Sequence, residues 1–321
     1  MFQITVGVDI AKKKFDAALL MESKYKHKHF SNDNAGFEAF IAWLLTFNLS
    51  TQPLICMEAT GVYNFPLADF LVVKGYSVSV VNPAKINAFA KSELSRTKTD
   101  KADAKLIARY ALSMQPALWT PPPAEMRRLQ SLTRRLEHLL EIRQMERNRL
   151  ETADDSVKES INTLLKTVED EIKAIRQAIN DLIDNDPNLD KRRELLESIP
   201  GIGAASVAHL LIVLSPHQGF TNAKQVVAFA GLAPALRESG QWTGKTRISK
   251  NGDPILRKVL YMPALCAWKH NPVIHDFCER LKANGKNGKA IACAAMRKLI
   301  HIAFGVLKSG KSFDPLWAYS K

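Results

Sequence analysis

The segment VGVDIAKKKFD, residues 6–16, decides the fold class. Apolar and β-branched residues lead to Asp9, three lysines follow, and a second apolar run begins at Phe15. This pattern predicts two short strands, in QITVGVDIA (3–11) and KFDAALL (14–20). The first residues of the chain therefore belong to a β-sheet.

Strand and helix patterns alternate from there to about residue 115. Helices are predicted in GFEAFIAWLLTFN (36–48), in FPLADFLVVKG (65–75), which Gly75 closes, and in residues 84–93 after Pro83. Further strands are predicted in PLICMEA (53–59) and SVSVVN (77–82). Strands that alternate with helices are typical of an α/β layer domain, so residues 1–115 are expected to form one.

The remainder of the chain is predicted to be mainly helical. Residues 116–123, PALWTPPP, cannot continue a helix and are expected to be a linker. Apolar residues then recur at spacings of three and four on both sides of a polar break at 151–155: Leu129, Leu132, Leu136, Leu139, Val157, Ile161, Leu164, Val168, Ile172, Ile175, Ile179 and Leu182. This spacing predicts a coiled-coil arm of two antiparallel helices in residues 124–190, with a bundle inside a domain as the alternative. Residues 191–321 are expected to form a C-terminal domain.

Positive charge is concentrated in the C-terminal part. Residues 201–321 hold 17 of the 45 lysines and arginines but only 5 of the 32 acids, a net charge of +12. Residues 1–200 hold the other 28 bases and 27 acids, a net charge of +1. Such asymmetry indicates a partner with a phosphate backbone, although it does not separate DNA from RNA or from an acidic protein.

Composition argues against several other classes. The 321 residues are 46% hydrophobic, which is ordinary for a globular protein of two domains. The apolar run SVAHLLIVL (206–214) is about half as long as a membrane span, and the N-terminal lysines follow the apolar segment, the reverse of a secretory signal. The four cysteines show no C-x-x-C spacing. A cytoplasmic protein without a zinc site or a disulfide framework is expected.

Two aspartates in TKTDKADAKLIA (97–108) are the first candidates for chemistry. Asp100 and Asp103 are three residues apart, so they share a helical face. A helix start explains one of them well, because Thr99 or Asp100 can cap free backbone N–H groups. The alternative is a metal site, and Asp9 and Glu58, each at the end of a predicted strand, supply the two partners that it needs. Four carboxylates without histidine or cysteine suit Mg²⁺ or Mn²⁺.

A third region with a functional pattern begins at LLESIPGIGAASVAHLL (195–211). Gly201 and Gly203 lie between two helical stretches, a pattern typical of a helix-hairpin-helix, in which backbone N–H groups bind phosphate. An ordinary tight turn between helices is the alternative. A polar, glycine-rich, basic loop follows between two further apolar helices, a position where functional residues are common.

The acidic set and the domain order resemble a known family. Asp9, Glu58, Asp100 and Asp103 on an α/β domain resemble the ribonuclease-H-like nucleases of the Holliday-junction-resolvase (RuvC-like) type. Four blocks, VGVDIAKKKFD, CMEATGVY, TKTDKADAKLIA and SIPGIGAAS…FAGLAP…ESG, together resemble the DEDD transposases of the insertion-sequence family called bridge-RNA-guided recombinases. The resemblance covers essentially the full chain.

The resemblance implies a mechanism and partners. Ser239 matches the family's catalytic serine, which attacks DNA and forms a covalent link, while the four acids bind divalent metal as part of one composite site. Donor and target DNA and a structured non-coding guide RNA are the implied partners, and a dimer that forms a tetramer on DNA is expected, in the cytoplasm at the nucleoid. The candidate phosphate contacts are Arg237, Lys245, Arg247, Lys250, Arg257, Lys258, Lys282, Lys286, Lys289, Arg297 and Lys298.

Three alternative functions are weighed against this one. A metal-dependent resolvase or nuclease would use water instead of Ser239, which the local RESGQW pattern otherwise places in a turn. A kinase of the actin-like fold would need a second phosphate-binding hairpin, which is not evident. A non-catalytic nucleic-acid-binding scaffold leaves the four acids unexplained.

Overall fold

The chain forms two compact units. A computed structural model describes residues 2–59, 61, 63–93, 99–235, 238–239, 242–243 and 247–318, with the backbone alone at Glu238, Ser239, Trp242, Thr243, Trp317 and Ala318. The units are Met1–Pro121 and Pro122–Lys321. The division between them falls within the proline-rich segment 116–123.

The first unit is a five-stranded mixed sheet with helices. Its strands are β1 (Thr5–Ile10), β2 (Lys14–Met21), β3 (Lys24–Ser31), β4 (Leu54–Glu58) and β5 (Ser77–Val81), in the order β3-β2-β1-β4-β5. β2 is antiparallel to β1 and β3, whereas β4 is parallel to β1 and β5. Its helices are α1 (Asn34–Leu45), α2 (Phe65–Val73), α3 (Pro83–Ser92) and α4 (Asp100–Met114). The α/β class expected for this region is confirmed, and the mixed sheet is consistent with the ribonuclease-H-like fold that the resemblance implies.

One strand of this sheet was not predicted from sequence. β3, with the sequence KYKHKHFS, is an edge strand in which Phe30 alone is buried. Its alternating lysines and histidines carry no apolar periodicity, and lysine on an edge strand opposes pairing with another chain. The strand is held by its register with β2, from Lys14 opposite Ser31 to Met21 opposite Lys24.

The second unit begins with a long helical hairpin. α5 (Ala124–Thr152) and α6 (Asp155–Asp184) are joined by two residues, Ala153 and Asp154. Met126 and Leu129 pack in one cluster with residues near the end of α6, whereas Leu139 packs with Val168 and Ile172. The two helices are therefore antiparallel, as predicted. The base of the hairpin contributes to the main core of the unit, and its distal part does not.

The other elements of the second unit form that core. Its helices are α7 (Pro187–Glu197), α8 (Ala204–Val213), α9 (Ala223–Phe229), α10 (Pro254–His270), α11 (Pro272–Ala283) and α12 (Gly288–Ser309), with 3-10 turns at Pro216–Gln218 and Pro315–Ala318. Four two-residue strands lie between α9 and α10: β6 (Pro234–Ala235), β7 (Glu238–Ser239), β8 (Trp242–Thr243) and β9 (Arg247–Ile248). Among the described residues, only α12 has the length and apolar composition of a membrane span. It packs against α7, α9, α10 and α11 as a core helix.

Candidate functional site

Asp9 and Glu58 lie at the carboxyl ends of neighbouring strands. β1 and β4 run parallel with Val8 opposite Met57, so the next residue of each strand carries an acid. Cys56 faces α4, where it packs in a cluster with Ile107. Because side chains alternate along a strand, Glu58 lies on the same face as Cys56, and Asp9 lies on the face of Gly7. Both carboxylates therefore lie on the α4 side of the sheet, and both are half-buried.

Gly7 allows α4 to lie directly against β1. A Cβ atom on Gly7 would stand 2.1 Å from the carbonyl oxygen of Ala104 and 2.2 Å from the backbone nitrogen of Ala108. One turn of the helix therefore occupies the space of the missing side chain. The hydroxyl of Thr5 donates a hydrogen bond of 2.8 Å to the carbonyl of Ala108 and fixes the helix against the strand. This close contact brings Asp103, the residue before Ala104, to the end of β1.

Thr99, and not an aspartate, caps the N-terminus of α4. Thr99 is the N-cap, and its hydroxyl accepts a 3.2 Å hydrogen bond from the backbone N–H of Ala102. Asp100 and Asp103 both lie in the first turn, where the helix dipole favours carboxylates. Since Thr99 provides the cap, neither aspartate is needed for it.

The electrostatics of Asp9 report the convergence of the acidic residues. The pKa of Asp9 is raised from 3.8 to about 6, first by burial and then by the negative charges of Asp103, Asp100, Glu58 and Asp16, in that order. The charges of Glu58, Asp100 and Asp103 therefore all act on Asp9. Like charges held together raise each other's pKa, and a bound cation reverses the effect.

Three further residues next to this site, Asp16, His27 and Lys14, were not predicted from the sequence. Asp16 is opposite Asp9 in the β1–β2 register and is 6% exposed. Its carboxylate contacts Nε2 of His27 at 2.8 Å and Nζ of Lys14 at 3.4 Å. Lys14 also donates a 2.7 Å hydrogen bond to Asp100, which lowers the pKa of that carboxyl. The sequence carried a signal for Asp16, because it is a charged residue inside the apolar run KFDAALL. The short connection between β1 and β2 places it opposite Asp9.

The donor set fits a hard divalent cation. Asp9, Glu58, Asp100 and Asp103 offer only carboxylate oxygens, the ligands that Mg²⁺ and Mn²⁺ prefer. Among the residues that the structure describes, no three acidic, histidine or cysteine side chains already form a metal-binding cluster. The Asp100 carboxylate is instead paired with Lys14. This ion pair engages one of the two oxygens of Asp100, Oδ2.

The predicted serine lies in a strand. Ser239, the second residue of β7, pairs with Trp242 of β8 in a two-stranded antiparallel sheet. The segment that carries it extends from a second antiparallel pair, in which Pro234 is opposite Ile248 and Ala235 is opposite Arg247. Arg237 and Lys245, two of the expected phosphate contacts, lie outside the described residues.

Comparison with known proteins identifies the family. Residues 6–157 match the DEDD_Tnp_IS110 transposase model, and residues 193–279 match the model of the transposase IS116/IS110/IS902 family. A pilin gene-inverting protein of Moraxella lacunata is 36% identical over 317 residues, which cover 98% of each chain. The chain belongs to the IS110 family of DEDD transposases. The resemblance inferred from the four sequence blocks is thereby confirmed.

Other relatives agree with this transposase assignment. A pilin gene-inverting protein of Moraxella bovis is 35% identical, again over 98% of each chain. The transposase of insertion sequence element IS1328 from Yersinia enterocolitica is 24% identical over 96% of this chain and 98% of its own. The family is one of insertion-sequence transposases and recombinases, so this protein is a DNA transposase or recombinase, and DNA is its substrate class.

The structure divides the transposase's remaining basic candidates into groups. Arg247, Lys250, Lys289 and Arg297 line one cavity of about 600 Å³. Three others have partners within the protein: Arg257 donates to the carbonyl of Ala230 at 2.9 Å, Lys258 to Glu137 at 3.1 Å, and Lys282 lies 3.6 Å from Glu279. Lys286 is exposed and Lys298 is half-buried on α12. Contact with phosphate stays a prediction for all of them.

The glycine-rich turn of the transposase lies between α7 and α8, where two helices were predicted. Gly201 has a φ of 107°, and a Cβ atom there would stand 2.6 Å from Cβ of Ala267 in α10. Gly203 is the N-cap of α8, and the space beside it is open. Gly201 therefore allows the turn to pack against α10. Phosphate binding by a helix-hairpin-helix stays a prediction, and Gly203 is the glycine with open space for it.

Proposed function

We propose that this transposase breaks and rejoins DNA strands at a composite site formed by Ser239 and the four carboxylates of Asp9, Glu58, Asp100 and Asp103. The observation that supports the proposal is the raised pKa of Asp9, caused by burial and by the surrounding acids. A protein that holds repelling carboxylates together at the ends of strands gains from a bound cation. Phosphoryl transfer on DNA is the chemistry that such a site performs.

The carboxylates have the role of holding Mg²⁺ or Mn²⁺. When bound, such a cation stabilises negative charge on the oxygens around the attacked phosphorus. Asp9 and Glu58 contribute from the sheet, and Asp103 contributes from α4, which the contact at Gly7 holds in place. Asp100 contributes from the first turn of the same helix, next to its ion pair with Lys14.

Ser239 has the role of nucleophile. Its Oγ attacks phosphorus, its proton passes to a carboxylate, the bond from phosphorus to a sugar oxygen breaks, and that oxygen takes up a proton. A phosphoserine bond replaces the broken ester, so the energy for rejoining is conserved without ATP. Attack by another DNA hydroxyl then restores the serine hydroxyl and closes the new strand.

A DNA substrate that traps the covalent intermediate tests this mechanism. The transposase is incubated with a nicked suicide substrate and divalent metal, denatured, and analysed for DNA covalently attached to protein. The parent should form the adduct, and both Ser239→Ala and Asp9→Ala should fail to form it while remaining folded. An adduct formed by Ser239→Ala contradicts the serine mechanism. Cleavage by the parent without any adduct identifies a metal-dependent resolvase that uses water.

A structured non-coding RNA is proposed as the guide. The family resemblance and the net charge of +12 in residues 201–321 support an RNA partner bound through its phosphates, with base pairing supplying the DNA sequence specificity. The transposase would act in the cytoplasm at the nucleoid. Sequencing of the nucleic acid that copurifies with it should recover one discrete RNA species, and recovery of none argues against guidance by RNA.

A further inference from the structure

The cavity lined by four cations has a mixed chemical character. Its volume is about 600 Å³, within the range of roughly 300–1,000 Å³ that small-molecule sites occupy. It lies in the second unit, between the β6–β9 pair and the N-terminal half of α12. Four of its ten lining residues are lysines or arginines, the other six are uncharged, and no acid is among them.

The charge of the cavity calls for an anion. None of its four cations forms an ion pair with a carboxylate whose side chain the structure describes. Nε of Arg297 is buried and has no hydrogen-bond partner among the described residues. A buried donor without an acceptor is unfavourable, and an oxygen atom of a bound anion would satisfy it. The positive field extends along α12, where burial and then Arg297, Lys298 and Lys224 lower the pKa of His301.

The uncharged wall distinguishes between possible anions. Ile248, Cys293 and Ala294 are partly exposed and offer apolar surface next to the cations. Inorganic phosphate would contact the cations and leave this surface unused. The backbone of an intact duplex keeps its bases stacked inside and offers the wall nothing apolar. A single unstacked nucleotide carries both a phosphate and a flat, largely apolar base, and therefore matches both parts.

The position of the cavity relates it to Ser239. Its residues Pro234, Arg247 and Ile248 belong to β6 and β9. Residues 236–246, which connect these two strands and include Ser239, are called the serine segment. Backbone hydrogen bonds continue below this pair, from Ser249 N to Ala233 O at 2.8 Å and from Lys250 N to Gly231 O at 3.0 Å. Backbone hydrogen bonds therefore connect the cavity wall to the two ends of the serine segment, which are called its foot.

We propose that this cavity receives one unstacked nucleotide of the DNA strand that Ser239 attacks. The phosphate of the nucleotide is held by Arg247, Lys250, Lys289 and Arg297, and its base lies against Ile248 and Cys293. The choice of DNA as the occupant rests on the proposed function, in which Ser239 attacks DNA. The cavity lies at the foot of the segment that carries this serine. Its tests measure occupancy of the cavity and not strand cleavage.

The first test uses Cys293 as a reporter in the unaltered full chain. This thiol lines the cavity, and burial raises its pKa, so it is modified with methyl methanethiosulfonate at alkaline pH and followed by mass spectrometry. DNA with a short unpaired bubble should slow modification of Cys293 about tenfold, whereas fully paired DNA and inorganic phosphate should not. Cys266, which is exposed on α10, is the internal control.

The outcomes separate this inference from the proposed function. If bubble DNA binds, as a mobility shift would reveal, but leaves Cys293 reactive, the cavity assignment is wrong while the recombinase function stands. If an RNA oligonucleotide of the same sequence protects Cys293 and the DNA does not, the proposed DNA occupant is wrong. Equal protection of Cys266 and Cys293 would mean general coverage of the surface and would also overturn the assignment.

The second test fills the cavity without changing its charge. Ala294→Phe places a ring in the cavity, and Ala283→Phe, at an exposed position of α11 outside it, is the matched control. With 2-aminopurine in the bubble, the parent and the Ala283 variant should raise the fluorescence through unstacking, and the Ala294 variant should not. Its affinity for DNA should change less than about threefold, since all four cations remain. An unchanged fluorescence rise with folded Ala294→Phe overturns the inference.

Discussion

At the residue scale, the position of the acidic helix depends on Gly7. A Cβ atom at this position would overlap the backbone of α4 at Ala104 and Ala108, where no flexible side-chain end can yield. We predict that Gly7→Ala displaces α4, lowers the free energy of unfolding by about 1–3 kcal/mol and abolishes strand cleavage. Gly305→Ala, in a helix with open space around it, should keep activity and gain up to about 1 kcal/mol. Urea unfolding and a cleavage assay check both, and wild-type cleavage by Gly7→Ala contradicts the account.

The raised pKa of Asp9 predicts a pH-dependent stability of the metal-free protein. The folded state holds the Asp9 proton more tightly than the unfolded state, so stability falls as pH rises from about 3.8 to about 6 and stays reduced above it. Asp9→Asn should remove this loss. With a chelator present, the variant should exceed the parent by about 1 kcal/mol at pH 7.5, allowing for solvent screening at a half-buried site, and by much less at pH 4. Urea unfolding at both pH values measures it, with exposed Glu22→Gln as the control. A difference independent of pH would contradict convergence of the acids on Asp9.

At the element scale, the apolar residues of the helical arm, α5 and α6, fall into a buried set and an exposed set. Val168 packs against Leu139 and Ile172, so a charge there disrupts the hairpin itself. Met145, Val157 and Leu164 are 51%, 47% and 44% exposed and are available for contact between copies. We predict that changing these three to Glu gives a folded monomer without recombination activity, as measured by light scattering and circular dichroism. A variant that stays oligomeric places the interface elsewhere, and Val168→Asp, which should also lose stability, is the comparison.

Elements with a strong local pattern were predictable from the sequence. The alternation in β1, β2, β4 and β5 and the cap at Thr99 are local signals, and they place Asp9, Glu58 and the two aspartates of α4. β3 was not predicted because it is an edge strand of mostly polar residues. The strands β6 to β9 have two residues each, which is too short to show an alternating pattern. Two features depend on contacts between elements, which the spacing of residues in the sequence does not encode. They are the ion pairs of Lys14 with Asp16 and Asp100 and the position of four cations around one cavity.

At the scale of the whole molecule, the distribution of charge predicts a salt-dependent interaction. Changing Arg247, Lys250, Lys289 and Arg297 to Gln should weaken DNA binding and reduce the slope of log affinity against log salt by up to about 3 to 4. The same loss of charge at Lys24, Lys26, Lys28 and Lys74, in the first unit, should alter the slope by less than about 1. Fluorescence anisotropy at several salt concentrations measures both. Equal slopes for the two variants would mean that net charge alone, and not the cavity, governs binding.

The hydrogen-bonded foot of the serine segment has a consequence for engineering. Between Phe229 and Asp253, both ends of the segment are secured by main-chain contacts, such as the 2.8 Å bond from Asp253 N to Phe229 O, which tolerate a change of side chain. Residues 236–246 can therefore be treated as an exchangeable cassette. Grafting the corresponding stretch of a homologous recombinase between Ala235 and Arg247 should preserve the scaffold while transferring the donor's preference for the bases next to the cut.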